Sequence, residues 1–147
     1  MHLAGNVTPA PGDASGTGMK AVDAARAQIG TPYLWGGKKP GGFDCSGLVS
    51  YALNQAGLME GYKTSQDLAK AGTPVDEKDV RPGDVVIYGK DEHHTAIVSS
   101  INPTMIIQAQ QTGTDIDEGP VTAGGSDFKF VRFEGKGDDK PSDTVSV

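Results

Sequence analysis

Cys45 is the residue best suited to chemistry in this 147-residue chain. It is the single cysteine, and it follows the glycine-containing segment GGFD. Asp44 is a good helix N-cap residue, and the apolar repeat behind it predicts a helix over residues 45–56. In the first turn of a helix, unpaired N–H groups and the positive dipole end favour a thiolate over a thiol. We therefore predict that Cys45 is a nucleophile. Judged from this residue alone, the alternative is a buried structural thiol.

A cysteine nucleophile needs a base beside its sulfur and a group that orients this base. His93 and His94 precede the β-rich run TAIVSS, whereas His2 lies in a polar, glycine- and proline-containing N-terminal segment. Successive side chains of a strand point to opposite faces, so only one of the pair is expected to face Cys45, and periodicity does not choose between them. Gln108, a polar residue after MII, is the candidate orienting group. The alternatives are a solvated histidine pair and a Gln108 that faces solvent at a sheet edge.

Composition and motifs argue against several other classes of function. One cysteine and two adjacent histidines do not match a common zinc spacing, and no phosphate-binding glycine loop is present. A net charge of -6 argues against non-specific binding to nucleic acid. We find no apolar run long enough to span a membrane and no apolar core of a signal peptide. A single domain taken from a longer exported protein is the alternative that this absence does not exclude.

The order of the predicted elements, helices first and strands later, favours an α+β domain with helices packed on a small antiparallel sheet. Residues 1–18 are predicted to be a flexible linker, 19–134 the domain, and 135–147 a disordered tail. The predicted helices cover residues 19–29, 45–56 and 64–70; the predicted strands cover 85–88, 95–100, 105–110 and 128–133; and residues 111–127 are predicted to be a surface loop.

Five sequence blocks resemble the NlpC-type cell-wall cysteine peptidases in order and approximate spacing: GTPYLWGG, GGFDCSGLVSYAL, RPGDVVIY, HTAIV and IIQA. The resemblance covers about residues 19–134 and implies a compact papain-like fold. It implies that Cys45 is the nucleophile, that His94 is the base because the family's histidine opens a strand, and that Gln108 orients the base. Gln108 carries no charge, so it would orient the imidazole without stabilising imidazolium as a carboxylate does.

The same resemblance assigns residues around the nucleophile. Tyr33 matches a tyrosine beside the cleft that assists the oxyanion, and Asp44 and Ser46 flank the nucleophile where relatives contact the substrate peptide. Trp35 lies between glycines, which let a backbone approach a ligand closely, so it is a candidate cleft wall. The alternative for Trp35 is an aromatic anchor that pins its loop to the core.

The activity implied by the resemblance is hydrolysis of peptidoglycan stem peptides, with D-glutamyl–diamino acid bonds favoured and with no metal or cofactor. The expected partners are stem peptides, with an upstream domain or an immunity or inhibitor protein as further options, and the expected state is a monomeric, secreted or cell-wall-associated protein. The alternatives are an amidase or acyltransferase on the same scaffold and an inactive cell-wall-binding module.

Overall fold

The computed structural model describes residues 16–134 of the chain. Three helices and eight strands lie within this range. In chain order they are α1 (Gly16–Arg26), β1 (Lys38–Lys39), β2 (Gly42–Phe43), α2 (Cys45–Gln55), α3 (Ser65–Ala71), β3 (Thr73–Val75), β4 (Val85–Tyr88), β5 (His94–Ser100), β6 (Met105–Gln108), β7 (Asp117–Pro120) and β8 (Phe128–Arg132). Short 3-10 turns occupy Glu77–Asp79 and Val121–Gly124.

The main sheet has six strands in the order β3-β8-β4-β5-β6-β7, and every neighbouring pair is antiparallel. The strands β1 and β2 form a separate two-stranded ladder. Helices α1 and α2 pack against each other, and α2 packs on β5. The predicted α+β class, with N-terminal helices on a small antiparallel sheet, is therefore confirmed.

Both faces of the sheet are covered by apolar side chains. Successive residues of a strand point to opposite faces, and in the central strands both sets contain apolar residues. In β5, Ile97 joins the core that contains Leu48 and Leu53 of α2. Its neighbours Ala96 and Val98 point the other way, into a second cluster with Val86, Ile106 and Phe130. The central strands are buried on both sides, which is why β4 reads as the continuous apolar run VVIY.

The first helix is shifted towards the N-terminus relative to its predicted bounds. It begins at Gly16, so residues 16–18 belong to the helix and not to a linker, and it ends at Arg26, which leaves Ile29 40% exposed. The cause is tertiary packing: a Cβ at Gly83 would collide with the backbone of Gly18, so the helix start lies directly against that turn. The rest of the predicted linker and the predicted tail lie outside the described residues.

The prediction of a surface loop over residues 111–127 was wrong in part. Strand β7 lies within it and pairs with β6, with Gln108 opposite Asp117, and Ile116 is buried in the helix-side core. The sequence DEGP has no strand periodicity because β7 is an edge strand, held by backbone hydrogen bonds and not by an apolar face. Among residues 16–134, no helix combines the length and apolar character needed to cross a membrane.

Candidate active site

The start of α2 is held in place by the glycine loop that precedes it. The Gly37 carbonyl accepts a 3.0 Å hydrogen bond from the backbone N–H of Asp44. A Cβ added at Gly47 would collide with that same carbonyl oxygen, so only glycine allows the helix to approach the loop this closely. The Asp44 carboxylate caps the helix by accepting a 2.7 Å hydrogen bond from the Gly47 N–H. Cys45 is thereby fixed as the first residue of the helix.

The Cys45 side chain is partly buried at the start of α2. Burial raises the pKa of the Cys45 thiol, and the charge of Asp44 adds to this effect. The amides of Thr95, Ser46 and Cys45 itself lower the pKa, but burial outweighs them. Burial therefore acts against the expected preference for a thiolate, because desolvation raises the pKa more than the amides of the helix terminus lower it.

His94 and Gln108 form a buried hydrogen-bonded pair, with 2.9 Å between Nε2 of the imidazole and Oε1 of the amide. The antiparallel pairing of β5 and β6 puts the start of one strand beside the end of the other. Gln108 is 2% exposed, so the alternative of a solvent-facing edge residue was wrong. Because the amide oxygen accepts the Nε2 proton, the lone pair of the neutral imidazole is on Nδ1.

The acid–base character of His94 follows from its burial. Desolvation lowers the pKa of His94, the hydrogen bond to Gln108 raises it, and the charge of His93 lowers it again. The backbone N–H of Thr95, directly after His94, is the largest of the amide contributions that lower the pKa of Cys45. Burial thus disfavours the charged form of both the imidazole and the thiol.

Tyr88, a residue that sequence analysis treated only as part of a strand, supports the imidazole from one side. Its ring centroid lies 5.2 Å from that of His94, and its hydroxyl donates a 2.6 Å hydrogen bond to the Val121 carbonyl. A Cβ at Gly124 would collide with the Tyr88 ring, so the ring is enclosed on that side as well. In the run VVIY no periodicity separates Tyr88 from an ordinary core residue.

The second histidine of the pair, His93, lies at the rim of the same cleft. It precedes β5 and pairs through Nδ1 with the Asp91 carboxylate at 2.6 Å, and both side chains are mostly exposed. His93 and His94 both line the cleft, but His94 is buried in the β5 ladder, whereas His93 stands outside it, in the turn after β4. That only one of the two faces Cys45 stays a prediction.

A cleft of about 1090 Å³ is lined by Cys45 and His94 together with Tyr33, Trp35, Asp44 and Ser46. Gln108, the seventh predicted site residue, does not line the cleft but contacts His94. Trp35 is 83% exposed, so it projects from its loop instead of anchoring it to the core. Burial raises the pKa of Tyr33, and the negative charges of Cys45 and Asp44 raise it further, which locates the Tyr33 phenol near the nucleophile.

The cleft also contains two residues that sequence analysis missed, Lys38 and Tyr62. The Tyr62 hydroxyl lies 2.7 Å from Ser46 Oγ, and the Lys38 ammonium lies 4.4 Å from the centre of the Tyr62 ring. The segment after α2 folds back on the helix because Asn54 exchanges hydrogen bonds with the Gly61 backbone. No local pattern signals this return of Tyr62 to the helix start.

The fold is papain-like, and a thiol at a helix N-terminus together with a buried His–Gln pair on an antiparallel sheet supplies the groups that a cysteine hydrolase requires. The model of the NlpC/P60 family matches residues 30–134, and the chain belongs to this family.

Similar proteins support the assignment to this family. A probable endopeptidase of Mycobacterium tuberculosis is 38% identical over 123 residues, which is 84% of this chain and 31% of the relative. A probable endopeptidase of Corynebacterium glutamicum is 42% identical over 105 residues, 71% of this chain and 49% of the relative. The chain therefore spans half or less of these two relatives' length. The NlpC/p60 domain of the peptidoglycan hydrolase SagA is 34% identical and superposes with a TM-score of 0.68, covering 79% of this chain and 98% of that domain.

Proposed function

We propose that the chain is a cysteine endopeptidase that hydrolyses peptidoglycan stem peptides, with Cys45 as nucleophile, His94 as base and Gln108 as orienting group. The observation that carries the proposal is the buried hydrogen bond from His94 Nε2 to Gln108, which leaves Nδ1 free to take a proton. Membership of the NlpC/P60 family supports it, as does the likeness to a domain named a peptidoglycan hydrolase.

In acylation, the thiol proton moves to His94 Nδ1 as the sulfur attacks the peptide carbonyl. Burial raises the pKa of Cys45 and lowers that of His94, and both directions oppose charge separation before the attack. The tetrahedral oxyanion is stabilised by N–H groups of the first turn of α2, assisted by the Tyr33 hydroxyl. The imidazolium then gives its proton to the leaving amine, which departs and leaves a thioester on Cys45.

Deacylation runs through the same groups in the opposite sense. His94 takes a proton from a water molecule, which attacks the thioester, and returns it to the sulfur as the acid product leaves. Gln108 keeps the imidazole in one tautomer and one orientation through both steps, a role that needs no charge.

The favoured substrate in this proposal is the bond between D-glutamate and a diamino acid in a stem peptide. The cleft suits such a polar, extended chain because its lining combines an exposed indole, two tyrosines and both charge signs. The site of action is the bacterial cell wall, outside the membrane.

The test is digestion of defined muropeptides with mass analysis of the products. The wild-type protein releases two peptide fragments cut within the stem, and Cys45→Ala lowers the rate by about a thousandfold or more. His94→Ala gives a comparable loss, whereas the matched variant His93→Ala, one residue away, keeps activity within about threefold.

Other products contradict the proposal. An intact stem peptide released from muramic acid identifies an amidase, and a product formed only with an added acceptor identifies an acyltransferase. No product from any muropeptide, with unchanged binding in Cys45→Ala, identifies a binding module.

A further inference from the structure

Lys38 is the one lysine or arginine among the described residues that line the cleft. It is exposed, and within residues 16–134 its ammonium forms no ion pair with a carboxylate. The single carboxylate of the lining, Asp44, is already used, because its Oδ1 accepts from the Gly47 N–H and from Ser46. The cleft therefore contains a lysine cation that no carboxylate of residues 16–134 contacts as an ion pair.

The Lys38 ammonium is positioned by the Tyr62 ring. It lies 4.4 Å from the centre of the Tyr62 ring, a distance at which a cation is attracted to the ring face. The Tyr62 hydroxyl lies 2.7 Å from Ser46 Oγ, and Ser46 follows Cys45 in the helix. A chain of contacts thus ties the cation to the start of α2, next to the nucleophile.

A stem peptide supplies the missing anion. A D-glutamyl residue linked through its side chain keeps a free α-carboxylate close to the scissile carbonyl, and the diamino acid after it carries a carboxylate of its own. Amidation of either group removes the negative charge and changes the shape very little. A lysine in this position can therefore distinguish free from amidated stems.

We propose that Lys38 binds a free carboxylate of the stem peptide and makes the protein selective for stems that are not amidated at that position. This assignment rests on the proposed function, since it names a contact within the same cleft. Lys38 contributes to substrate binding and takes no part in proton transfer.

The chain offers a matched control in the next residue, Lys39. The two lysines form β1, where Lys38 lies opposite Phe43 and Lys39 opposite Gly42. Successive side chains of a strand point to opposite sides, and Lys39 does not line the cleft. Lys38→Met and Lys39→Met therefore remove the same charge from neighbouring exposed positions, but only the first removes it from the cleft.

The experiment compares three synthetic stem peptides: one with both carboxylates free, one with the D-glutamyl carboxylate amidated, and one with the diamino acid carboxylate amidated. We expect the wild type and Lys39→Met to prefer the free stem over one of the amidated stems by about fivefold to tenfold in kcat/KM, mostly through KM. Lys38→Met loses this preference, Lys38→Arg keeps it, and the amidated stem that is disfavoured shows which carboxylate is bound.

Binding of the same three stems to Cys45→Ala separates the two proposals. Selective binding that disappears in Cys45→Ala/Lys38→Met, without cleavage by the wild type, supports the Lys38 assignment and contradicts the proposed hydrolysis. Equal effects of Lys38→Met and Lys39→Met, or a preference that survives in Lys38→Met, overturn the Lys38 assignment.

Discussion

The two sides of the cleft differ in how firmly they are held. On the sheet side, His94 and Gln108 are 5% and 2% exposed, joined by a hydrogen bond and backed by Tyr88. On the loop side, Trp35 and Lys38 are exposed, with Trp35 on a turn and Lys38 in the two-residue strand β1. Proton transfer needs fixed geometry, whereas recognition of a flexible peptide needs accessible groups. The difference predicts that changes on the sheet side lower kcat and that changes on the loop side raise KM.

Gly47→Ala should have the largest effect because it disturbs the contact that holds the glycine loop against the start of α2, where Cys45 lies. The added Cβ collides with the Gly37 carbonyl and displaces Cys45, so we expect about 1–3 kcal/mol less free energy of unfolding and about a hundredfold lower kcat/KM. Urea unfolding and muropeptide kinetics measure the two quantities.

Gly119→Ala serves as the control for this change, since its Cβ would meet only Ala123 at an ordinary distance of 3.7 Å. If Gly47→Ala is as stable and as active as Gly119→Ala, the close approach of loop and helix does not position the nucleophile.

Gln108→Ala tests the sheet side alone. Loss of the amide leaves the imidazole unoriented, and we expect kcat to fall by about tenfold to hundredfold with little change in KM. The hydrogen bond raises the pKa of His94, so its loss lowers that pKa, and the acid limb of the rate profile moves to lower pH. A profile of kcat/KM against pH measures the shift, and the exposed Gln110→Ala should leave the limb in place. A limb that moves to higher pH contradicts the assigned bond.

Trp35→Ala tests the loop side. The indole is 83% exposed, so we expect an unchanged melting temperature, an unchanged kcat and a KM higher by about threefold to tenfold. Leu34→Ala, also exposed but outside the cleft lining, should leave KM unchanged. A fall in kcat instead of a rise in KM would place Trp35 with the sheet-side residues.

His93→Gln should give the smallest change and sharpens the boundary between the two sides. The positive charge of His93 lowers the pKa of His94, so its removal raises that pKa, and the acid limb moves up by a few tenths of a pH unit. The maximal rate should change by less than about twofold. His93→Arg keeps the charge and should leave the limb where it is in the wild type; a shift in the same direction would contradict the electrostatic origin.

Much of the fold was predictable because its elements carry strong local signals. Asp44 as N-cap and the apolar repeat after it fix α2, and the run VVIY fixes β4. The strands β3 and β7 were missed since TPV and DEGP carry no apolar alternation, and both lie at the edges of the sheet. Edge strands are specified by the backbone of their neighbours, which local sequence patterns do not report.

Candidate site residues could be proposed from the sequence where the chemistry requires a particular residue type. Cys45, His94 and Gln108 follow from the chemistry of a thiol nucleophile together with the family resemblance, and the cleft contains the first two. Tyr62 and Tyr88 were missed because their positions depend on contacts distant in sequence, with Ser46 and with Val121. The direction of the Cys45 pKa also depends on burial, which requires the packed structure.

The place of β8 in the sheet has a consequence for biosynthesis. The last strand within residues 16–134 inserts between β3 and β4, so the sheet that supports His94 is incomplete until almost all of these residues have left the ribosome. The thiol of Cys45 is made early, but its partners on β5 and β6 are not yet held against it. We therefore expect a nascent chain to be inert towards peptide bonds, with activity acquired in one late folding step.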